Sequence, residues 1–216
     1  IIHKDISPMN IIYDPKTGKV SIIDFGISTE FSYEKNLNID LSSLEGNIYY
    51  LSPEQTGRTN HSLDFRTDFY SLGVTFFEML CGCHPFESES PTEIIYSHIA
   101  MMPPSTRNIN PEVPEMLSGI IAKLMAKMPE DRYSTASGIL LDLDKCLENF
   151  GINLEIAAFE LGESDYSERF EISRKLYGRE KEVSCLMEAY RNIINGGRTF
   201  VAVGGHSGIG KTSLVG

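Results

Sequence analysis

From Asn10 the chain reads NIIYD, PKTG, KVSIIDFG, two runs of β-branched and aromatic residues on either side of a Pro/Gly turn. That pattern predicts a β-hairpin with polar residues at both ends. Between Asp24 and Glu54 the period is lost and Ser, Asn, Glu and Gly accumulate, which predicts a long surface segment of the kind that is uncommon unless functional. Asp68 to Leu80, DFYSLGVTFFEML, is apolar on nearly all sides and is expected to be a helix buried in the core, ending at Gly82. PTEIIYSHIA and PEMLSGIIAKLMAK each place proline near the start and apolar residues at three-to-four spacing, as surface helices do. STASGILLDLDKCLENF predicts another, capped by Ser134 or Thr135.

Around Gly151 to Lys175 the pattern weakens and acidic and Ser residues collect, so a linker and a domain boundary are expected there. Beyond it, Val183, Leu186, Met187, Tyr190 and Ile194 share one face of a helix over Lys181 to Ile194. NGG ends that helix, and TFVAVGG follows as an apolar strand. Helix, strand, glycine loop and helix make the start of an α/β domain.

The 216 residues, 41% of them hydrophobic, suffice for one large core or two small ones. Nineteen basic against thirty acidic side chains, a net charge of -11, exclude a nucleic-acid surface as the main business of the chain. The longest apolar runs fall far short of the roughly 20 residues of a membrane span, and no secretory signal is present, so a cytoplasmic protein is expected. Cys81, Cys83, Cys146 and Cys185 have neither disulfide-framework nor zinc spacing, and CGCH at Cys81 to His84 lacks further ligands. The chain opens on Ile1 inside an apolar run and closes just after a Lys-Thr pair, which leads us to expect a piece of a longer protein.

Chemistry concentrates first on Asp5, Asn10 and Asp24. Phosphoryl transfer needs a carboxylate to orient the attacking hydroxyl and oxygen ligands for magnesium, and the hairpin brings Asn10 and Asp24 to one mouth. HKDISPMN at His3 to Asn10, DFG at Asp24 to Gly26 and SPE at Ser52 to Glu54, in this order, resemble the C-terminal lobe of a eukaryotic-type serine/threonine protein kinase. The resemblance covers roughly Ile1 to Phe150. It implies Asp5 as catalytic base, Asn10 and Asp24 as magnesium ligands, ATP and Mg2+ as cofactors, a protein substrate, and an activation segment over Asp24 to Glu54. It also implies that Asp68 ties down the catalytic-loop backbone, that His3 is structural, and that Arg132 pairs with Glu54.

Three positions depart from the family. Ser7 stands where such kinases usually carry lysine, Asn47 where they carry threonine, and Lys4 where arginine precedes the catalytic Asp. Either Asn47 compensates for Ser7 by offering an amide donor to Asp5, or phosphotransfer is weak or absent. The glycine-rich loop and lysine–glutamate pair of the kinase N-terminal lobe are not in these 216 residues, so the chain alone is expected to be inactive.

The second constellation, Gly205, Gly208, Gly210, Lys211 and Thr212, fits G-x-x-x-x-G-K-[ST] immediately after the predicted strand. Backbone N–H groups would cradle phosphates, Lys211 would reach the outer ones and Thr212 would hold magnesium. With YGRE at Tyr177 to Glu180 upstream, this end resembles signalling ATPases of the AAA type. The combination resembles large bacterial-type signalling proteins that join a serine/threonine kinase, an AAA-like ATPase and often further sensor or histidine-kinase modules.

The expected fold class is therefore α+β: a mainly helical kinase C-terminal lobe with a short hairpin over 1–150, a linker over 151–176, and the beginning of an α/β P-loop NTPase domain over 177–216. A non-catalytic kinase-like module reporting to the ATPase is the alternative.

Overall fold

The computed structural model describes residues 1–29, 48–59, 61–148, 156–166, 178–206, 211 and 214. These fall in two compact units, Ile1–Glu168 and Arg169–Gly216, with the division inside the expected linker.

The first unit opens with the hairpin. β1 (Ile11–Asp14) and β2 (Lys19–Ile22) pair antiparallel, Ile11 opposite Ile22 and Asp14 opposite Lys19. Asp14 shapes the turn: its carboxylate accepts from Thr17 Oγ1 at 2.7 Å and Lys16 N at 2.9 Å, and its carbonyl from Gly18 N at 2.8 Å. The hydroxyl and amide donors hold the Asp14 carboxyl below its ordinary value.

The predicted buried helix is α1 (Arg66–Cys81), in which Tyr70, Val74 and Phe77 have no solvent exposure at all. Each such side chain contributes about 1.5–3 kcal/mol by leaving water. α1 stops at Gly82, whose φ of 71° closes the last turn through a bond from its N–H to Glu78 O. Gly73 marks the crossing with α4 (Glu115–Leu124), since a Cβ there would lie 2.8 Å from Leu124 Cβ. α2 (Pro91–Ala100) has the bounds the pattern predicts, whereas α3 (Thr106–Ile109) is a single turn that no periodicity announced. α4 ends before the predicted Lys127 because that lysine turns inward. Its Nζ donates to Ser97 O at 3.2 Å and His98 O at 2.9 Å and lies 4.7 Å from the Phe86 ring centroid. α5 (Ala136–Glu148) is capped by Thr135, whose Oγ1 accepts from Gly138 N at 2.9 Å.

Two apolar clusters make up the core. One joins Tyr70, Val74, Phe77, Phe86, Ile121 and Met125, and the other joins Met116, Ile120, Leu124, Tyr133, Ile139 and Cys146. His98 on α2 is fully buried with Nδ1 3.0 Å from Tyr70 Oη. Burial, helped by the Lys127 charge, pushes its pKa down to about 3.

Residues 156–166 differ from the expected linker. Ile156, Phe159 and Leu161 pack on the second cluster, because three apolar residues within six positions can be buried without a helical period.

In the second unit α6 (Glu180–Ile194) forms as predicted. TFVAVGG is not a strand among the described residues, since an apolar run becomes a strand only when a neighbour accepts its backbone hydrogen bonds. Gly208, Gly210 and Thr212 lie outside the described residues. Among the described residues no helix is long and apolar enough to cross a membrane. All four cysteines are free, and no group of three His, Cys, Asp or Glu suited to a metal occurs among those residues.

Candidate active site

Asp5 and Asn10 meet through the sharp loop between them. Pro8–Asn10 form a single 3-10 turn, closed by Asn10 N donating to Ser7 O at 3.0 Å. That turn carries Asn10 back so that its Nδ2 donates to both Asp5 O and Asp5 Oδ2, each at 2.8 Å. With Nδ2 committed, the oxygen of the amide is the group Asn10 has left to offer a cation.

Asp24 reaches the same mouth through the hairpin: Ile23 N donates to Asn10 O at 2.9 Å, directly before Asp24. Asp24 is exposed and has a left-handed φ of 63°, a conformation that costs a non-glycine residue of order 1–3 kcal/mol and clusters at functional sites. Its Oδ1 accepts from Gly26 N at 3.3 Å, an Asx-type turn that partly offsets the cost, and Oδ2 has no partner among the described residues. The chain then returns to its start, where Ile2 and Thr29 exchange backbone bonds of 2.8 and 3.0 Å.

Lys4, the residue before Asp5, is the second positive-φ residue, at 70°. Its backbone is over-determined from two sides. Asp68, in the first turn of α1, accepts from His3 N at 2.7 Å and Lys4 N at 2.8 Å, while Gln55 Nε2 donates to Lys4 O at 2.7 Å. Burial raises the Asp68 carboxyl pKa, against the pull of those two N–H donors. His3 is structural, as expected. Its Nδ1 accepts from Asp5 N at 3.3 Å, which leaves Nε2 as the N–H that donates to Ile23 O at 3.0 Å. One imidazole thus bridges the strand leading to Asp24 and the loop carrying Asp5.

Beneath this lies the Glu54–Arg132 pair, bidentate at 2.6 and 2.8 Å and almost fully buried. Thr67 Oγ1 adds a donor to Glu54 at 2.8 Å, and the guanidinium also donates to the carbonyls of Ala126, Arg66 and Lys127. Burial would raise the Glu54 carboxyl, but Arg132 and Thr67 outweigh it and hold it below its ordinary value. Gln55 escaped the sequence reading. Its role depends on a contact 51 positions away, and no local pattern signals that.

Ser7 is fully buried, and its Oγ has no partner among the described residues. Asn47, expected to face it, lies outside them. In the second unit Lys211 Nζ folds back on its own loop and donates to Gly205 O at 2.9 Å and His206 O at 2.8 Å. Lys211 also lines a cavity of about 230 Å³ together with Arg179, Leu186, Val201, Val203 and Leu214.

The model of the protein kinase domain family matches residues 1–142. Among curated proteins, the hybrid signal transduction histidine kinase G of Dictyostelium discoideum is 41% identical over 187 residues, covering 77% of this chain and 5% of that protein. The peroxide stress-activated histidine kinase mak3 of Schizosaccharomyces pombe is 37% identical over 145 residues, 67% of this chain and 6% of that protein. The serine/threonine-protein kinase PrkC of Bacillus subtilis is 36% identical over 153 residues, 71% of this chain and 23% of that protein. The chain thus spans a quarter or less of the length of these relatives.

Proposed function

The chain belongs to the protein kinase domain family, and we propose on that basis that Asp5, Asn10 and Asp24 carry phosphoryl transfer from ATP to a serine or threonine hydroxyl of a protein substrate. The observation that supports this most is the double bond from Asn10 Nδ2 to Asp5. It fixes the carboxylate and leaves the Asn10 amide oxygen free as a hard donor, while the exposed Asp24 follows Ile23, whose N–H is bonded to Asn10 O. One amide oxygen and one carboxylate suit Mg2+, which takes few protein ligands and completes its shell with phosphate oxygens and water. Bound there, the metal would neutralise charge developing on the phosphates.

In this reading Asp5 receives the proton of the attacking hydroxyl, and its orientation is set before substrate arrives by Asn10 on the side chain and by Asp68 and Gln55 on the adjoining backbone. Positioning of this kind supplies most of the catalysis in phosphoryl transfer. On the sequence pattern alone, an amide donor at Asn47 would stand in for the lysine that Ser7 replaces. Glycines 205, 208 and 210 with Lys211 and Thr212 form a second phosphate site, that of an AAA-like ATPase in the same signalling protein. The Lys211 ammonium, resting on loop carbonyls, is available to an incoming phosphate.

One observation favours a second reading, a non-catalytic kinase-like module that reports to the ATPase. Ser7 supplies no charge beside Asp5, and its hydroxyl is buried without a partner among the described residues. The two readings separate in the full-length parent protein: wild type is expected to phosphorylate a protein substrate, and Asp24→Ala to abolish that transfer. Wild-type protein inert toward a broad peptide library, with activity appearing only in Ser7→Lys, would overturn the catalytic reading.

A further inference from the structure

The family match ends at residue 142, yet the ordered packing of the first unit continues past it. Residues 156–166 lie across the face of α4 and α5 with Ile156, Phe159 and Leu161 on the second apolar cluster, and Lys145 Nζ is 5.1 Å from the Phe159 ring centroid. Polar contacts fix the register. Gly162 N donates to Asp142 Oδ2 at 2.7 Å, and that buried oxygen also accepts from Tyr133 Oη at 2.7 Å.

Three residues on, the Asp165 carboxylate accepts from Ser134 N and, at 2.7 Å, from Thr135 Oγ1. It therefore adds a negative charge to the amino end of α5, where the helix dipole favours one. Gly138 is what lets it approach, since a Cβ at 138 would collide with the Asp165 carboxylate.

We propose that residues 156–166 are a latch closed over the α4–α5 face with Asp165 as its key, and that negative charge added at Thr135 opens it. Thr135 is half-buried; transfer of a phosphoryl group from ATP to its Oγ1 by a protein kinase, with the hydroxyl proton lost to that enzyme's base and ADP leaving, would replace a donor to Asp165 with a repelling charge. Opening moves the anchor of the connecting chain from Tyr166 back to Glu148, a change in reach of up to roughly 60 Å if that stretch is extended. This inference is independent of whether the Asp5 site is active.

Hydrogen exchange by mass spectrometry on the full 216-residue chain tests it. Wild-type amides of 156–166 are expected to be protected, and Asp165→Ala and Thr135→Glu each to speed their exchange at least about tenfold while α1 is unchanged. Glu163→Gln, which alters only an exposed partner of Lys145, is expected to leave the latch closed. Should either latch variant also strip protection from α1, Thr135→Val, which deletes the donor to Asp165 and the acceptor for Gly138 N without adding charge, is expected to give a smaller but selective increase. Wild-type 156–166 exchanging as fast as unstructured peptide, or no variant increasing exchange selectively there, would overturn the latch.

Discussion

The Asp5 loop and the Lys211 loop are both plain as sequence patterns, yet they stand on different ground. Around Asp5 the backbone is held by Asp68 and Gln55, and these stand on a buried Glu54–Arg132 pair and on α1, whose Tyr70, Val74 and Phe77 are wholly buried. Around Lys211 the apolar face of α6 is open, with Met187 46%, Tyr190 57% and Ile194 65% exposed, and Lys211 is held by two carbonyls of its own loop. A motif names the atoms proposed to touch phosphate. Whether its geometry exists before phosphate arrives depends on the layers packed behind it.

The widest separation should come from activity. In the full-length protein Asp24→Ala is expected to lower protein phosphorylation by at least about a thousandfold, the upper scale for losing one electrostatic stabiliser of a transition state, while Lys211→Ala lowers ATP hydrolysis at the second site and leaves phosphorylation intact. Radiolabel transfer and phosphate release, measured on both variants, check this. Equal loss of both activities in either variant would mean that the sites are not separate.

Stability should divide the regions next. Arg132→Met strands the Glu54 carboxylate in the core and is expected to cost about 3–5 kcal/mol, read as a large fall in the denaturation midpoint of the first unit. Lys211→Ala, at a half-buried position that belongs to neither apolar cluster, should stay within about 0.5 kcal/mol. If Arg132→Met were as mild as Lys211→Ala, the pair would not underpin the loop.

A pH titration probes the same core. His98 has its folded pKa lowered to about 3 from an ordinary 6.5, so the unfolded chain binds the proton first. Stability is full above pH 6.5 and falls as pH drops toward 3, with a slope approaching 1.36 kcal/mol per unit. Between pH 6.5 and 5 Lys127, lowered only to about 8, is protonated in both states and adds nothing. Subtracting the profile of His98→Gln isolates the effect over that window, and identical profiles would contradict a neutral buried imidazole.

The smallest expected effect is at Ser7. Its hydroxyl has no partner among the described residues, so Ser7→Ala should leave thermal stability unchanged or raise it by up to about 1 kcal/mol. Ser7→Lys, placed in a fully buried position, should lower it by about 1–3 kcal/mol even if phosphorylation improves. A marked loss of stability in Ser7→Ala would show that the hydroxyl is bonded.

Local pattern carried much of the fold. The hairpin, α1 with its stop at Gly82, α2 and the Thr135 cap all follow from period, turn chemistry and capping residues, which act over a few positions. The Asp5–Asn10 bond was within reach too, because five residues and a proline turn bring the pair together. The turn of α3, the inward swing of Lys127 and the role of Gln55 were not legible, since each depends on partners tens of residues away. Residues 156–166 show a related limit of local pattern: their polar composition reads as linker, while three apolar side chains and one carboxylate bind the segment down.

The sequence by itself determined which residues are proposed for phosphate chemistry and in what order they occur, because donor type and short-range spacing are properties of the chain. Tertiary structure alone decided that Lys4 is held at a positive φ by Asp68 and Gln55, that Ser7 is sealed from solvent, and that Asp165 lies at the head of α5. Those outcomes come from long-range packing, where burial sets the cost of every unpaired polar group and so selects which distant partners must meet.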